Sequence, residues 1–184
     1  MASSGPLYPG TVATEFYPGQ EFDSSDWIDP TGIGGSGGVY ATVEDLGADG
    51  NRYTYLLKAT NFGFSIPAGA TILGVVAEIA RAGTTNTSTV DDTVKIIKGG
   101  TIQGDNKSTG DSVPAGPPTW ETNTYGGASD LWGLSLTPSD INASNFGIVY
   151  AGHNIVENLE RISVDFIRVT VYYLEAGQVM MVSN

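Results

Sequence analysis

The sequence contains no cysteine, one histidine and few basic residues, and each shortage excludes a class of protein. Without cysteine, the 184-residue chain forms no disulfide scaffold, thiolate zinc site, iron–sulfur cluster or thiol nucleophile. The single histidine, His153, excludes a metal site built from two imidazoles of one chain. Eight Lys and Arg stand against twenty Asp and Glu, so the net charge of −12 would repel a nucleic-acid backbone. We therefore expect no nucleic-acid partner.

Long apolar runs are also missing, since no segment approaches the roughly 18 to 20 residues that a membrane-spanning helix requires. Residues 1–10 have neither a basic start nor an apolar stretch, so we expect no secretory signal, no membrane partner and synthesis in a cytoplasm. Charged residues make up only 15% of the chain, which is low for a soluble monomer. This low charge density indicates a surface that is partly covered in an assembly.

The residues that are abundant favour β structure. The chain has 25 glycines and is rich in Ser, Thr and Asn, which favour turns and strand surfaces over helix interiors. Residues 71–81 and 161–173 are the longest predicted strands, and residues 120–125 and 131–136 are short strand candidates. In residues 161–173 the inward-facing pattern changes phase at residues 166–167, which predicts either a β-bulge or a strand whose two halves bury opposite faces.

One short helical turn interrupts the predicted strands. Thr137 suits the N-cap, Pro138 the first helical position and Asp140 the third, near the positive end of the helix. About eight strands without alternating helices predict an all-β fold, an antiparallel β-sandwich or jelly roll.

The predicted sandwich domain covers residues 11–173. Residues 1–10 are assigned to an N-terminal arm and residues 174–184 to a C-terminal tail, and each is either a frayed end or a segment laid on a neighbouring subunit. Residues 99–118 form the longest predicted loop, of a length that is usually functional or disordered.

Two catalytic patterns occur within the glycine-rich residues 32–38, but neither has the required context. Gly32, Gly34 and Gly37 match the dinucleotide pattern GxGxxG without a surrounding strand, turn and helix. Residues 34–38 match the GxSxG nucleophile pattern, which needs a strand before it and a helix after it, whereas a strand follows here. We interpret the segment as a flexible loop.

The remaining candidates for chemistry are His153 and the carboxylates. His153 is predicted in a loop between the last two strands, where a structural role is favoured over a Ser-His-Asp triad. Asp91 and Asp92 are either metal ligands or the charged start of a strand. Residues 45–51 have spaced oxygens but lack the bidentate glutamate of a calcium loop, so a turn is favoured and a weak calcium site stays open.

Carboxylate pairs for glycoside hydrolysis stay open too, because twenty acidic residues offer many pairs and no local pattern selects two of them. We assign no catalytic, cofactor-binding or metal-binding residue and expect neither a cofactor nor enzyme activity. Trp27, Trp120 and Trp132 are either core or interface residues, which is favoured, or a platform for stacking sugars.

Several short stretches of the chain share a set of turn and strand signatures. They lie at residues 7–10, 27–30, 57–72, 125–127, 131–133, 140–142, 146–147, 164–165 and 171–173. Together these stretches, within residues 7–173, resemble small jelly-roll structural proteins encoded among the head and tail genes of tailed bacteriophages, including those infecting cyanobacteria. The shared motifs are not a functional fingerprint.

The resemblance implies a structural virion protein, namely a decoration or cement protein on the surface of the phage head. Its expected partners are the major capsid protein and further copies of itself, as a homotrimer. The resemblance supplies no catalytic residue. Two alternatives stay open: a carbohydrate-binding module or receptor-binding tail component, and a small hydrolase that would need His153 or two converging carboxylates.

Overall fold

The computed structural model describes residues 1–19, 24–35, 38–47, 51–84, 88–116 and 119–177. These residues form two β-sheets packed face to face, which confirms the predicted all-β sandwich. In chain order the strands are β1 (Ala2–Leu7), β2 (Thr11–Glu15), β3 (Ser24–Ser25), β4 (Ala41–Val43), β5 (Arg52–Thr54), β6 (Leu56–Thr60), β7 (Thr71–Gly83), β8 (Thr89–Lys98), β9 (Thr101–Gln103), β10 (Glu121–Gly126), β11 (Gly147–Asn154) and β12 (Ile162–Leu174).

The first sheet, sheet A, has the order β1, β12, β7, β10, and β4 pairs with β12 beyond the end of β1. The second, sheet B, is centred on β11, which pairs with β6 and then β5 along one edge and with β8 along the other. Strand β2 extends sheet B beyond β6, and β9 extends it beyond β8. These pairs are antiparallel, whereas the two-residue contact of β3 with β5 is parallel.

The core lies between the two sheets because alternate residues of each strand point to opposite faces. The pairing of β12 with β7 shifts register between Val164 and Phe166, which confirms the bulge predicted at this phase change. The inward side chains are almost completely buried, and they include Val75, Ala77, Ile79, Val164, Ile167 and Val169 from sheet A and Leu57, Val94, Ile96, Ile148 and Tyr150 from sheet B.

The predicted helical turn is confirmed as α1, Pro138–Asn142. The Thr137 hydroxyl accepts a hydrogen bond from the backbone N–H of Asp140 at 3.2 Å, and the Asp140 carboxylate accepts one from the N–H of Thr137 at 2.9 Å. This capping box satisfies two backbone donors that a helix start otherwise leaves unpaired. A second helical element, the 3-10 turn Pro30–Ile33, was not predicted.

The predicted N-terminal arm, residues 1–10, is wrong, because Ala2–Leu7 form the edge strand β1. It pairs with residues 169–173 of β12, and Leu7 packs against the core. The sequence hides this strand because Leu7 is its only large apolar residue. At the other end, β12 continues to Leu174, and residues 178–184 lie outside the described part of the chain.

Two further local predictions are corrected by the structure. Residues 99–118 are not one loop, since they contain β9 and make isolated bridges from Ser112 and Ala115 to the strands β8 and β7. Residues 131–136 form turns rather than a strand. The turn is fixed by Trp132, whose indole N–H donates to the backbone oxygen of Val75 at 2.9 Å.

Candidate functional site

The outer face of sheet B carries a second apolar cluster, separate from the core. An outer sheet face is commonly polar, because it meets water. Here four outward residues of β6, β8 and β11 are apolar and at most 3% exposed, and the side chains of Tyr17 and Ile102 pack against them. The cluster consists of Leu56, Ile97, Val149 and Ala151.

A row of three rings lies on the same sheet: Tyr17, Tyr53 and His153. The ring centroids of Tyr17 and Tyr53 are 4.6 Å apart, and the Tyr53 ring stacks on His153 at 4.2 Å with an interplanar angle of 4°. The Tyr17 hydroxyl donates to the Asp92 carboxylate at 2.5 Å. Burial, together with this hydrogen bond, raises the pKa of Tyr17 to about 12. The hydroxyl therefore stays protonated at neutral pH.

His153 lies within strand β11, so the prediction that it sits in a loop is wrong. The sequence does not indicate a strand here, because Ala151 and Gly152 are small and do not favour strands. Pairing with both β5 and β8 holds this part of β11 in place. The ring stacks on Tyr53, and its Nε2 atom is buried without a hydrogen-bond partner among the described residues. Burial lowers the pKa of His153, and the Asp92 carboxylate opposes this shift. The imidazole is therefore held neutral at pH 7.

A groove of about 380 Å³ lies beside the ring row. It is lined by Tyr17 and Pro18 together with Ile102, Leu56 and Thr93. The lining is mainly apolar, so the groove is suited to receive an apolar side chain from another protein rather than a charged ligand. The neighbouring surface is polar, since Lys58 pairs with Glu15 at 2.9 Å nearby on β6 and β2.

Asp91 and Asp92 do not act together, because their side chains bond to different partners in different places. Asp91 is fully buried and accepts hydrogen bonds from Arg81 Nε at 2.7 and 2.8 Å. The hydroxyls of Tyr125 and Tyr150 donate to the same carboxylate at 2.6 and 2.8 Å. Asp91 is thus the counterion of a buried arginine. No group of three or more His, Asp or Glu in the described ranges is arranged to hold a metal ion.

The other two loops proposed from sequence are described only in part. In residues 45–51, the Asp45 carboxylate accepts a hydrogen bond from the backbone N–H of Gly47 at 2.7 Å, which is a turn contact, and residues 48–50 lie outside the described part. In residues 32–38, a 3-10 turn precedes Gly34, whereas the nucleophile pattern requires a strand at this place. Residues 36–37 lie outside the described part of the chain.

The tryptophans divide into two buried residues and one at the surface. Trp27 and Trp132 are 5% and 0% exposed, which confirms the core assignment for both. Their indole N–H groups are satisfied, since that of Trp27 donates to the backbone oxygen of Tyr55 at 2.7 Å and that of Trp132 to Val75. Trp120 is only partly buried and packs edge to face against Tyr40, with centroids 5.2 Å apart.

Sequence reasoning missed Tyr17 and Tyr53 as site residues. No local pattern marks them, because Tyr17 and its partner Asp92 are 75 positions apart in the chain. Asp92 was singled out, but as a companion of Asp91 rather than of Tyr17. The site exists only once three strands of sheet B lie side by side.

Comparison with solved structures gives a distant structural similarity. No protein-family model and no curated protein matches the chain. A solved structure described as "CBM4 structure and function" is 14% identical, with a TM-score of 0.41, over 75% of this chain and 89% of that one. This similarity carries no argument about ligand or function. In the described ranges, no helix is long and apolar enough to cross a membrane.

Proposed function

We propose that this chain is a capsid decoration or cement protein that binds the shell of a phage head through the outer face of sheet B. The observation that carries the proposal is the second apolar cluster with its groove beside Tyr17 and Ile102. The class of protein comes from the resemblance of residues 7–173 to phage structural proteins. The proposed partner is the major capsid protein, and the proposed location is the virion surface.

A cement protein performs no chemistry and works by adding contact area across the junctions of the shell. An apolar side chain of the capsid protein that fills the groove would contribute about 1.5–3 kcal/mol for each buried Leu or Phe. Every copy bound to the shell repeats that contribution. The groove supports this role because a pre-formed concavity needs little reorganisation on binding.

The proposal includes a non-catalytic role and a homotrimer. His153 packs on Tyr53 with its Nε2 atom buried, an arrangement that favours packing over proton transfer. Closed symmetric oligomers use the same patch on every subunit, so a modest contact is multiplied. The net charge of −12 suits a surface that keeps particles dispersed.

The test measures how much of the chain binds to shells assembled from the proposed partner, a phage major capsid protein. Ile102→Glu places a charge in the groove wall, and we expect at least about tenfold weaker binding, the equivalent of about 1.4 kcal/mol. Thr122→Glu, on exposed β10 of sheet A, is the matched control and should keep full occupancy. Circular dichroism checks that both variants are folded.

Two results would overturn the proposal. One is an unmodified chain that does not bind the shells, and the other is an Ile102→Glu variant that binds them as well as the control does. A second candidate function, binding of a carbohydrate, is favoured by a separate observation on sheet A, the partly exposed Tyr40 beside a groove.

A further inference from the structure

A second groove of about 350 Å³ lies at strand β4, on the sheet opposite the proposed shell contact. It differs from the groove on sheet B because aromatic, aliphatic and acidic side chains line it together. The lining residues are Ile28, Asp29, Gly38, Val39, Tyr40, Thr42 and Glu44.

The Tyr40 ring is held in place by Trp120. Tyr40 directly precedes β4 and Trp120 directly precedes β10, and in sheet A these strands are separated by β12 and β7. Their rings nevertheless meet, with centroids 5.2 Å apart and an interplanar angle of 65°, so they must reach across the strands between them.

The apolar part of the groove is open to solvent. Ile28 is 51% exposed and Val39 is 53% exposed, which is unusual for two large aliphatic residues beside a partly exposed tyrosine. Together with the Tyr40 ring they offer a flat apolar surface. The ring needs no rearrangement to present that surface, because its contact with Trp120 already fixes it.

The polar part of the groove consists mainly of hydrogen-bond acceptors. Asp29 and Glu44 contribute carboxylates, and the side chain of Glu44 is 56% exposed with Arg161 Nη1 at 4.0 Å. The Thr42 hydroxyl is already engaged with Ser163 at 2.9 Å. A ligand that satisfies these carboxylates must therefore bring donors of its own, and phosphate or other anionic ligands are disfavoured by repulsion.

From this combination we infer that the groove binds a neutral saccharide. A sugar ring has an apolar face of C–H groups that packs on an aromatic ring and hydroxyls at its edge that donate to carboxylates. A quaternary ammonium group is a poorer fit because it is usually enclosed by several aromatic faces, and among the described residues that line this groove Tyr40 is the single aromatic one. The volume lies within the range of small-molecule pockets.

This inference rests on the second candidate function, for which it names the site and the ligand class, and it does not depend on the proposed shell contact. The saccharide groove lies on sheet A, whereas the shell contact is proposed on sheet B. A copy bound to a shell through sheet B would therefore direct the groove away from the shell, where glycans of a cell surface are accessible.

The experiment is native affinity electrophoresis in gels that contain a soluble polysaccharide. The probes are the neutral polymers glucan, mannan, xylan and galactan, with the acidic polymer alginate and a polymer-free gel for comparison. We expect retardation in at least one neutral polymer and none in alginate. Oligosaccharides cut from the retarding polymer then give a dissociation constant by calorimetry.

Glu44→Ala removes one acceptor, and we expect at least about tenfold weaker binding of that oligosaccharide, as for the loss of a hydrogen bond to a charged group. The matched control is Glu15→Ala on sheet B, which removes the same charge at a side chain that is 55% exposed. Tyr40→Phe keeps the ring and should bind like the unmodified chain, whereas Tyr40→Ala should not bind. Circular dichroism confirms that each variant is folded.

The inference is overturned if no neutral polymer retards the chain, if alginate alone does so, or if Glu44→Ala binds as tightly as Glu15→Ala. The inference is also overturned if the unmodified chain binds tetramethylammonium but no neutral polymer, and Glu44→Ala abolishes that binding. A failure of this inference is distinguished from a failure of the proposed function by measuring how much Glu44→Ala binds to capsid shells. That variant should occupy the shells fully whether or not it binds sugar, because the shell contact is proposed on sheet B.

Discussion

Asp91 shows how a single residue is constrained by partners from distant parts of the chain. Its buried carboxylate accepts from Arg81, Tyr125 and Tyr150, which lie on β7, β10 and β11. A buried carboxylate and guanidinium are tolerated only because each satisfies the other. The charge of Asp91, together with burial, also holds the pKa of Tyr150 well above its ordinary value.

Asp91→Ala is expected to lower the free energy of unfolding by about 3–5 kcal/mol, because it leaves the Arg81 guanidinium buried and without its counterion. Urea denaturation measures this change. Glu15→Ala, which breaks the surface pair with Lys58, is the control and should cost about 0.2–1 kcal/mol. A loss below about 1 kcal/mol for Asp91→Ala would contradict the role assigned to this ion pair.

The lowered pKa of His153 predicts how stability changes with pH. Because the chain has a single histidine, its ring signals are simple to assign. Burial lowers this pKa below the ordinary value of 6.5, against the opposing charge of Asp92. As the pH falls, the unfolded chain therefore binds the proton first, so stability present above pH 6.5 is lost as the pH falls from 6.5 through the folded-state pKa.

Titration of the His153 ring by NMR should show a folded-state pKa below 6.5, and the stability lost between pH 7 and pH 5.5 should be smaller in His153→Gln. Guanidinium denaturation at each pH measures that stability. A ring pKa at or above 6.5, or the same loss of stability in both proteins, would show that burial does not control this group.

At the scale of elements, the edge strand β1 matters more than its sequence indicates. It closes the side of β12 opposite β7, with Ser4 paired to Val171 and Leu7 to Val169. Leu7 also packs on the core. The segment is therefore a part of sheet A.

Deleting residues 1–7 should lower the free energy of unfolding by at least about 1–3 kcal/mol, from the lost burial of Leu7 and the lost backbone hydrogen bonds to β12. Thermal denaturation measures the effect. Ser3→Ala, an exposed change in the same strand, should stay within about 0.5 kcal/mol of the full chain. If the deletion left the melting temperature unchanged, residues 1–10 would be an arm after all.

At the scale of the whole molecule, electrostatic repulsion between copies of the chain opposes the burial of apolar surface in a contact between them. Each chain of 19.2 kDa carries a net charge of −12, so copies repel one another at low ionic strength. The apolar groove on sheet B and the exposed aliphatic residues on sheet A favour contact. Association should therefore depend on salt.

We expect sedimentation velocity to detect a trimer of the purified chain at micromolar concentration and to show a larger trimer fraction in 0.5 M salt, where repulsion is screened to a Debye length of about 4 Å. Glu15→Ala and Glu44→Ala remove one charge each and serve as controls for the electrostatic part. A monomer at every concentration and salt, both free and after elution from shells, would contradict the trimer.

Local physics explains what the sequence predicted well. The two-residue alternation of residues 71–81 and 161–173 gave the central strands, and the change of phase gave the bulge, because both depend on neighbouring residues alone. The capping box of Thr137 and Asp140 is equally local, spanning three positions. All three tryptophans were assigned to the core or an interface on their size and their indole groups, and two of them, Trp27 and Trp132, are buried in the core.

The sequence by itself determined the all-β class, the helical turn and the absence of thiol chemistry, since these follow from composition and short-range spacing. Only the tertiary structure decided that Ala2–Leu7 is a strand, that Asp91 is buried and Asp92 bonds to Tyr17, and that Tyr40 meets Trp120. Those contacts join positions tens of residues apart, and strand pairing, rather than any local preference, selects which of them come together.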